Sequence, residues 1–222
     1  MLPRVLEPEA MDTPDEAAFY DAMDHSEVNA RFAADFRAAH GKARGGTILD
    51  LGTGTARIPI AICQADENAR VLGVDLANAM LSLAKRNIAE AGLSARVECQ
   101  RCDAKRLPFA DGAFEAVISN TIIHHIPEPA GVFAEIVRLL APEGTLFVRD
   151  LARPPSRGEL ERLVLVHAAG EPPEARALFA ASLNAALTLD EVRGLIGAFG
   201  LPHHGAEMTS DRHWTWSWRR PF

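Results

Sequence analysis

Cysteine is scarce, with three in 222 residues. So sparse and odd a count excludes a disulfide-stapled scaffold and fits a reducing cytoplasm. Basic charge is short as well: 23 Lys and Arg against 30 Asp and Glu leave a formal charge of −7. Proteins that live on phosphate backbones or anionic lipid need clustered cations, so nucleic acid and membrane surfaces are not expected as partners. No apolar run approaches the roughly 20 residues of a membrane-spanning helix. The opening stretch, MLPRVLEPEAMDTPDE, is acidic and broken by proline, unlike a signal peptide. Internal repeats and low-complexity segments are absent. What remains, 48% apolar and 24% charged residues, is ordinary globular material with length for a sizeable core.

Residues 1–45 read as a helical preface. Thr13-Pro14-Asp15-Glu16 combines a cap, a first-turn proline and a capping-box glutamate. Phe19 and Met23 then fall on one face, and Ser26 opens a helix striped by Val28, Phe32 and Phe36. From residue 47 strands alternate with helices. Strands are expected at 47–51, 70–75, 96–99, 114–119 and 145–150, with Pro142-Glu143-Gly144 turning the chain before the last. Helices are expected at 56–64, from an Asn78 cap to Ala91, and at 129–140. Such alternation predicts a parallel sheet with helices on both faces and right-handed crossovers. After Asp150 the rhythm breaks into a helical insertion bracketed by Pro154-Pro155 and Pro172-Pro173. A second capping box at Thr188 opens a helix carrying Val192, Leu195, Ile196 and Phe199. The closing stretch alternates with period two about Ser210-Asp211-Arg212, an antiparallel hairpin with three tryptophans on one face.

The first strand meets the first helix at Asp50-Leu51-Gly52-Thr53-Gly54-Thr55-Ala56. Glycine suits a sharp turn against which a ligand presses the main chain, and the helix start offers free amide donors. Asp75 closes the second strand, where a carboxylate can accept both hydroxyls of a ribose. Together they predict a nucleoside at the carboxyl edge of the sheet. A dinucleotide favours a third glycine at position 57, but Arg57 stands there. Acidic Asp50 would also repel a pyrophosphate, whereas it suits an ammonium or sulfonium group. The chemistry points from NAD toward S-adenosylmethionine.

Ile48-Leu49-Asp50-Leu51-Gly52-Thr53-Gly54 resembles the first motif of class I S-adenosylmethionine-dependent methyltransferases. Gly73-Val74-Asp75-Leu76 with Met80-Leu81 resembles the second, and Cys102-Asp103-Ala104 with Leu107-Pro108-Phe109 the third. Phe114 to Asn120, followed by His124-His125-Ile126, resembles the fourth. The likeness spans about residues 45–150 and is greatest to small-molecule methyltransferases of the ubiquinone and menaquinone biosynthesis type. It implies that Gly52, Thr53 and Gly54 approach the methionine and ribose portion, while Asp50 orients the ammonium. Asp75 would hold the ribose hydroxyls, with Leu76 and Met80 beside the adenine. Asp103 would accept from the adenine amino group, Ala104 would donate its amide, and Asn120 would lie under the methionine portion. In similar enzymes an N-terminal helix closes over the cofactor, which makes Tyr20, beside Asp21, Asp24 and His25, a candidate gate.

Methyl transfer from a sulfonium is an in-line displacement, and a base is needed only when the acceptor must lose a proton. His124 and His125 are the catalytic candidates for that proton; the plainer alternative is local packing or capping. Arg149, Asp150 and Arg153 could meet a polar acceptor or form a surface ion cluster. Cys99-Gln100-Arg101-Cys102 lacks two of the four ligands of a zinc site, so these thiols are taken as packing and no metal is expected. A Pro-Pro-aromatic turn, common in enzymes that methylate base amino groups, is missing after the fourth strand, which also disfavours DNA or RNA.

The alternation predicts an α/β fold, and the resemblance implies a Rossmann-like doubly wound seven-stranded sheet in the order 3-2-1-4-5-7-6 with the last strand antiparallel. It would form one domain over 1–222: helical preface 1–45, cofactor-binding core 46–151, helical cap insertion 152–186, closing helix and hairpin 187–222. The expected activity is cytoplasmic methyl transfer from S-adenosyl-L-methionine to a small-molecule acceptor. The acceptor atom stays open, and a homodimer is the one assembly kept in view. Two alternatives stand beside it: an S-adenosylmethionine-binding scaffold or partner subunit, and a nicotinamide-dependent oxidoreductase.

Overall fold

The computed structural model describes residues 2–8, 12–23 and 25–221; Asp24, named above beside Tyr20, lies outside the described residues. The elements follow in the order α1 (Pro14–Ala22), α2 (Ser26–His40), β1 (Ile48–Leu51), α3 (Arg57–Ala65), β2 (Val71–Asp75), α4 (Asn78–Glu90), β3 (Val97–Arg101) and β4 (Phe114–Asn120). A 3-10 turn, Ile123–His125, precedes α5 (Ala130–Leu139) and β5 (Leu140–Leu151). Then come α6 (Arg157–Ala168), α7 (Pro173–Ala185), α8 (Leu189–Ala198), β6 (Ala206–Met208) and β7 (His213–Arg219). The strands form one seven-stranded sheet ordered β3-β2-β1-β4-β5-β7-β6, as the sequence predicts. β1 lies parallel between β2 and β4, pairing Asp50 with Gly73 and Ile118, while β6 and β7 run antiparallel. Among the described residues no helix is long and apolar enough to cross a membrane.

The chain divides into two compact units. One holds residues 10–120, 131–148 and 217–222, as far as these are described. Its core joins Phe32 and Phe36 of α2 to Ile48, Val71, Ile118 and Phe147 of the sheet. The other holds residues 1–9, 121–130 and 149–216, again as far as described. There Leu160, Leu163 and Leu183 of α6 and α7 pack with Leu151, and Leu2 lies against them.

Both predicted capping boxes form. The Thr13 and Thr188 side chains accept from the third backbone amide of their helices, and Glu16 and Glu191 reach back. Several apolar stripes turn out narrower than their periodicity implies. Phe19, Val28 and Phe199 are exposed, and Ala17, Ala33 and His40 occupy the buried faces of α1 and α2 instead. Asn78 is the first residue of α4 rather than its cap; the cap position is Ala77, whose amide donates to Asp75. The Pro142-Glu143-Gly144 turn is absorbed into β5, where Glu143 takes a positive φ of 58°. Arg149, Asp150 and Arg153 are not a surface cluster. All three are buried, because β5 is a central strand and its end is covered by other residues of the second unit.

Candidate functional site

The turn from β1 to α3 is built against β2. The amides of Gly52 and Thr53 both donate to Val74 O, at 2.8 and 3.0 Å. Gly52 has φ +69°, a region that costs other residues strain. Gly73 makes the contact possible from the other side: a Cβ there would lie 2.5 Å from Thr53 Oγ1. Asp75, at the end of β2, is fixed by two amides, Gly54 N to Oδ2 at 2.8 Å and Ala77 N to Oδ1 at 2.9 Å. A carboxylate oxygen has a second lone pair, so both oxygens can still accept from hydroxyls.

Above this turn lies a cavity of about 440 Å³, within the usual range for small-molecule sites. Of the sequence-predicted residues its lining brings together Tyr20, Asp50, Gly52, Thr53, Gly54 and Asn120. Asp75, Leu76, Met80, Asp103 and Ala104 are not part of that lining. Met80 is buried in a small cluster with Ala17 and Ala77, against which Tyr20 and Leu83 pack. Leu76 O accepts from Arg101 Nε at 3.1 Å, and Asp103 pairs with Lys105 at 3.2 Å. Ala104 is half-buried in the loop after β3. Ser26 and Asn29, three apart on α2, also line the cavity. Neither carries a binding signal in the sequence, because a polar pair at helical spacing looks like any solvated face.

The cavity is rich in carboxylate. Burial pushes Asp50 up to about 7, with the Thr53 side chain offsetting part and Asp75 adding to the shift. Asp75 is also raised, chiefly by burial, against the amides that hold it. The Tyr20 hydroxyl is raised by burial and then by Asp75, Asp21 and Asp50. A buried carboxylate held up in this way is relieved by a bound cation. An ammonium or sulfonium fits this lining; a pyrophosphate does not.

Helix α1 is tied to this region by Asp21, the neighbour of Tyr20. Asp21 accepts from Arg57 Nε and Nη2, each at 3.1 Å, and from Asn87 Nδ2 at 3.1 Å. Burial would raise it, but bonds from Thr55, Arg57 and Asn87 outweigh that and hold it below the usual carboxylate range. Arg57, at the position where a dinucleotide turn would have glycine, is thus committed to α1.

The second unit holds the histidine pair. His124 is buried, with Nδ1 2.5 Å from Asp150 Oδ1 and Nε2 3.3 Å from Glu7 Oε1. His125, with 23% of its side chain exposed, places Nδ1 3.2 Å from the same Glu7 oxygen and 3.1 Å from Pro8 O. Asp150 Oδ2 also accepts from Ile123 N at 2.5 Å, which shapes the 3-10 turn. Burial would lower His124, but the Asp150 charge and hydrogen bond outweigh it and raise the imidazole; burial and His124 lower His125. Arg4 clamps the segment that carries Glu7, donating to Ala185 O at 2.7 Å, Pro127 O at 3.0 Å, His124 O at 3.2 Å and Ile126 O at 2.9 Å. Glu7 was not foreseen from sequence, since 117 residues separate it from His124 and no local pattern joins them.

The family model described as "Methyltransferase domain" matches residues 49–148. The chain is 37% identical over 109 residues to the ubiquinone/menaquinone biosynthesis C-methyltransferase UbiE of Desulfotalea psychrophila, covering 49% of this chain and 43% of that protein. It is 32% identical over 111 residues to the phosphatidylethanolamine N-methyltransferase of Cereibacter sphaeroides, covering 50% and 53%. It thus spans about half the length of the curated relatives it matches. In fold it is similar to a candidate S-adenosyl-L-methionine-dependent methyltransferase from Methanococcus maripaludis, with a TM-score of 0.74, 16% identity and 98% of each chain covered. Sheet order and sequence match agree: residues 49–148 match a methyltransferase-domain model, the same segment is similar in sequence to the UbiE enzymes, and the fold is that of the candidate methyltransferase from Methanococcus maripaludis.

Proposed function

We propose that the chain transfers a methyl group from S-adenosylmethionine to a small-molecule acceptor in the cytoplasm. The observation that carries this reading is the buried Asp50, raised to about 7 in a cavity whose wall is the Gly52–Gly54 turn. The cofactor supplies an electrophilic methyl on a sulfonium, whose carbon–sulfur bond breaks as the bond to the acceptor forms. The protein's contribution is alignment and exclusion of water. Asp50 faces the ammonium, Gly52, Thr53 and Gly54 bring main chain to the ligand, and Asp75 accepts from the ribose hydroxyls. Leu76 and Met80 flank the adenine, Asp103 and Ala104 read its edge, Asn120 lies beneath the methionine portion and Tyr20 gates the cavity. Where the acceptor must lose a proton, His125 and His124 are the groups to receive it. The chain is read as one domain over 1–222, with 46–151 binding the cofactor and 1–45 and 152–186 selecting the acceptor. The two relatives are named as C- and N-methyltransferases, which supports reading the choice of acceptor atom as lying outside the matched segment.

Calorimetry with S-adenosylmethionine and with NAD, followed by mass analysis of a panel of phenols, quinols and amines, tests the reading. One equivalent of S-adenosylmethionine bound, weakened at least about tenfold in Asp75→Ala, and a methylated product are expected. Binding of NAD in its place would overturn the cofactor assignment. Tight binding with no product from any acceptor would favour the scaffold reading.

A further inference from the structure

Glu7, His124 and His125 bring one carboxylate oxygen and two ring nitrogens within 4.8 Å of one another. Glu7 Oε1 is buried, on a side chain 7% exposed, and has no hydrogen-bond partner among the described residues. It lies 3.3 Å from His124 Nε2 and 3.2 Å from His125 Nδ1. Ligands held at about 2.0–2.1 Å from a tetrahedral cation are themselves separated by roughly 3.3 Å, so these two gaps match the edges of such a polyhedron. His124 is oriented as metal-bound histidines are. Its Nδ1 lies 2.5 Å from Asp150 Oδ1, which leaves Nε2, 3.3 Å from Glu7 Oε1, as the nitrogen that would ligate. The segment bearing Glu7 is held in place by the four carbonyl contacts of Arg4. The part-exposed His125 leaves a way in. Its Nδ1 also lies 3.1 Å from Pro8 O, and that contact would have to yield or the carbonyl oxygen join the ligands.

We propose that Glu7, His124 and His125 form a binding site for one divalent transition-metal cation, with zinc the cation that best suits two imidazoles and a carboxylate in tetrahedral spacing. The site lies wholly within the second unit and does not rest on the function proposed above; a cation held there would take the His124 Nε2 and His125 Nδ1 lone pairs, so those atoms would not then serve as proton acceptors.

The test uses full-length protein stripped with a chelator, with no cofactor or acceptor added. Zinc is titrated in competition with a chromophoric chelator, and cobalt is titrated separately to read its visible absorption. One equivalent of zinc is expected, with the intense visible bands of four-coordinate cobalt. Glu7→Gln and His125→Ala, both at the edge of the cluster, should each weaken zinc at least about tenfold, while circular dichroism shows the fold kept. His124→Ala is held back as a primary variant because removing it strands buried Asp150. No stoichiometric zinc, or zinc bound equally well by wild type, Glu7→Gln and His125→Ala, would overturn the proposal. The latter result would place the cation elsewhere, and the former would leave the cluster as a hydrogen-bonded ion network.

Discussion

Asp50 shows how one residue type acquires a purpose from its surroundings. In sequence it is an acidic residue before a glycine turn. In the fold it is 2% exposed and shares the region with Asp75, so ionising it is costly. Its carboxyl, raised from about 3.9 in an unfolded chain to about 7, binds protons in the folded state that the unfolded state has lost. Stability from this group is therefore present at low pH and declines as pH rises from about 4 to about 7. Binding of a cationic ligand runs the other way, because it draws on the ionised form. S-adenosylmethionine affinity should rise about tenfold between pH 6 and pH 8 in calorimetry, and Asp50→Asn should flatten that dependence. A wild-type affinity independent of pH would sink the assignment of Asp50 to the ammonium.

At the scale of elements, the glycine turn and its carboxylates were legible because they sit at strand ends, where chain order and period-two patterning suffice. The attachment of α1 was not. Its apolar face is short, with Ala17 alone buried, and its hold comes from Asp21 reaching Arg57 on α3 and Asn87 on α4. Those partners are 36 and 66 residues away. Asp21→Ala should cost about 1–3 kcal/mol and speed amide exchange across Pro14–Ala22 while leaving β1 and β2 protected. Exchange in α1 unchanged from wild type would show that the latch holds nothing. The sign with pH follows from the lowered carboxyl: the latch contributes above the ordinary aspartate range and is lost as pH falls through the folded value. The C-terminal end of α2 is fixed similarly. Glu115 of β4 accepts from the amides of Arg44 and Gly46, at 2.8 and 2.6 Å, and from His40 Nε2 at 2.9 Å. No local pattern signals that knot either.

For the whole molecule, the formal charge of −7 carries an expectation of its own. Labelled duplex DNA should stay unbound at about 0.15 M salt in fluorescence anisotropy. A micromolar complex that weakens steeply with added salt would overturn the exclusion of nucleic acid. The acidity is partly placed by the fold: Asp50 and Asp21 line one cavity, Asp75 supports its glycine turn, and Glu7 and Asp150 flank the histidine pair. Arg149, Asp150 and Arg153 correct the reading of a surface cluster, and the reason is topological. Strand β5 lies inside the sheet order, so polar residues at its end are enclosed and must find partners: Thr215 for Arg149, His124 for Asp150, Glu191 for Arg153.

The alternation of strand and helix, the two capping boxes, the closing hairpin and the cofactor motifs followed from the amino-acid sequence by itself. Each depends on spacing within a few residues or on strand order, and such signals survive without coordinates. Only the tertiary structure decided which candidates share a cavity, which helix faces are buried, how Arg57 is used and that Glu7 meets both histidines. Those outcomes rest on contacts between residues tens to more than a hundred positions apart, where enclosure turns an ordinary charge into a group that must be paired.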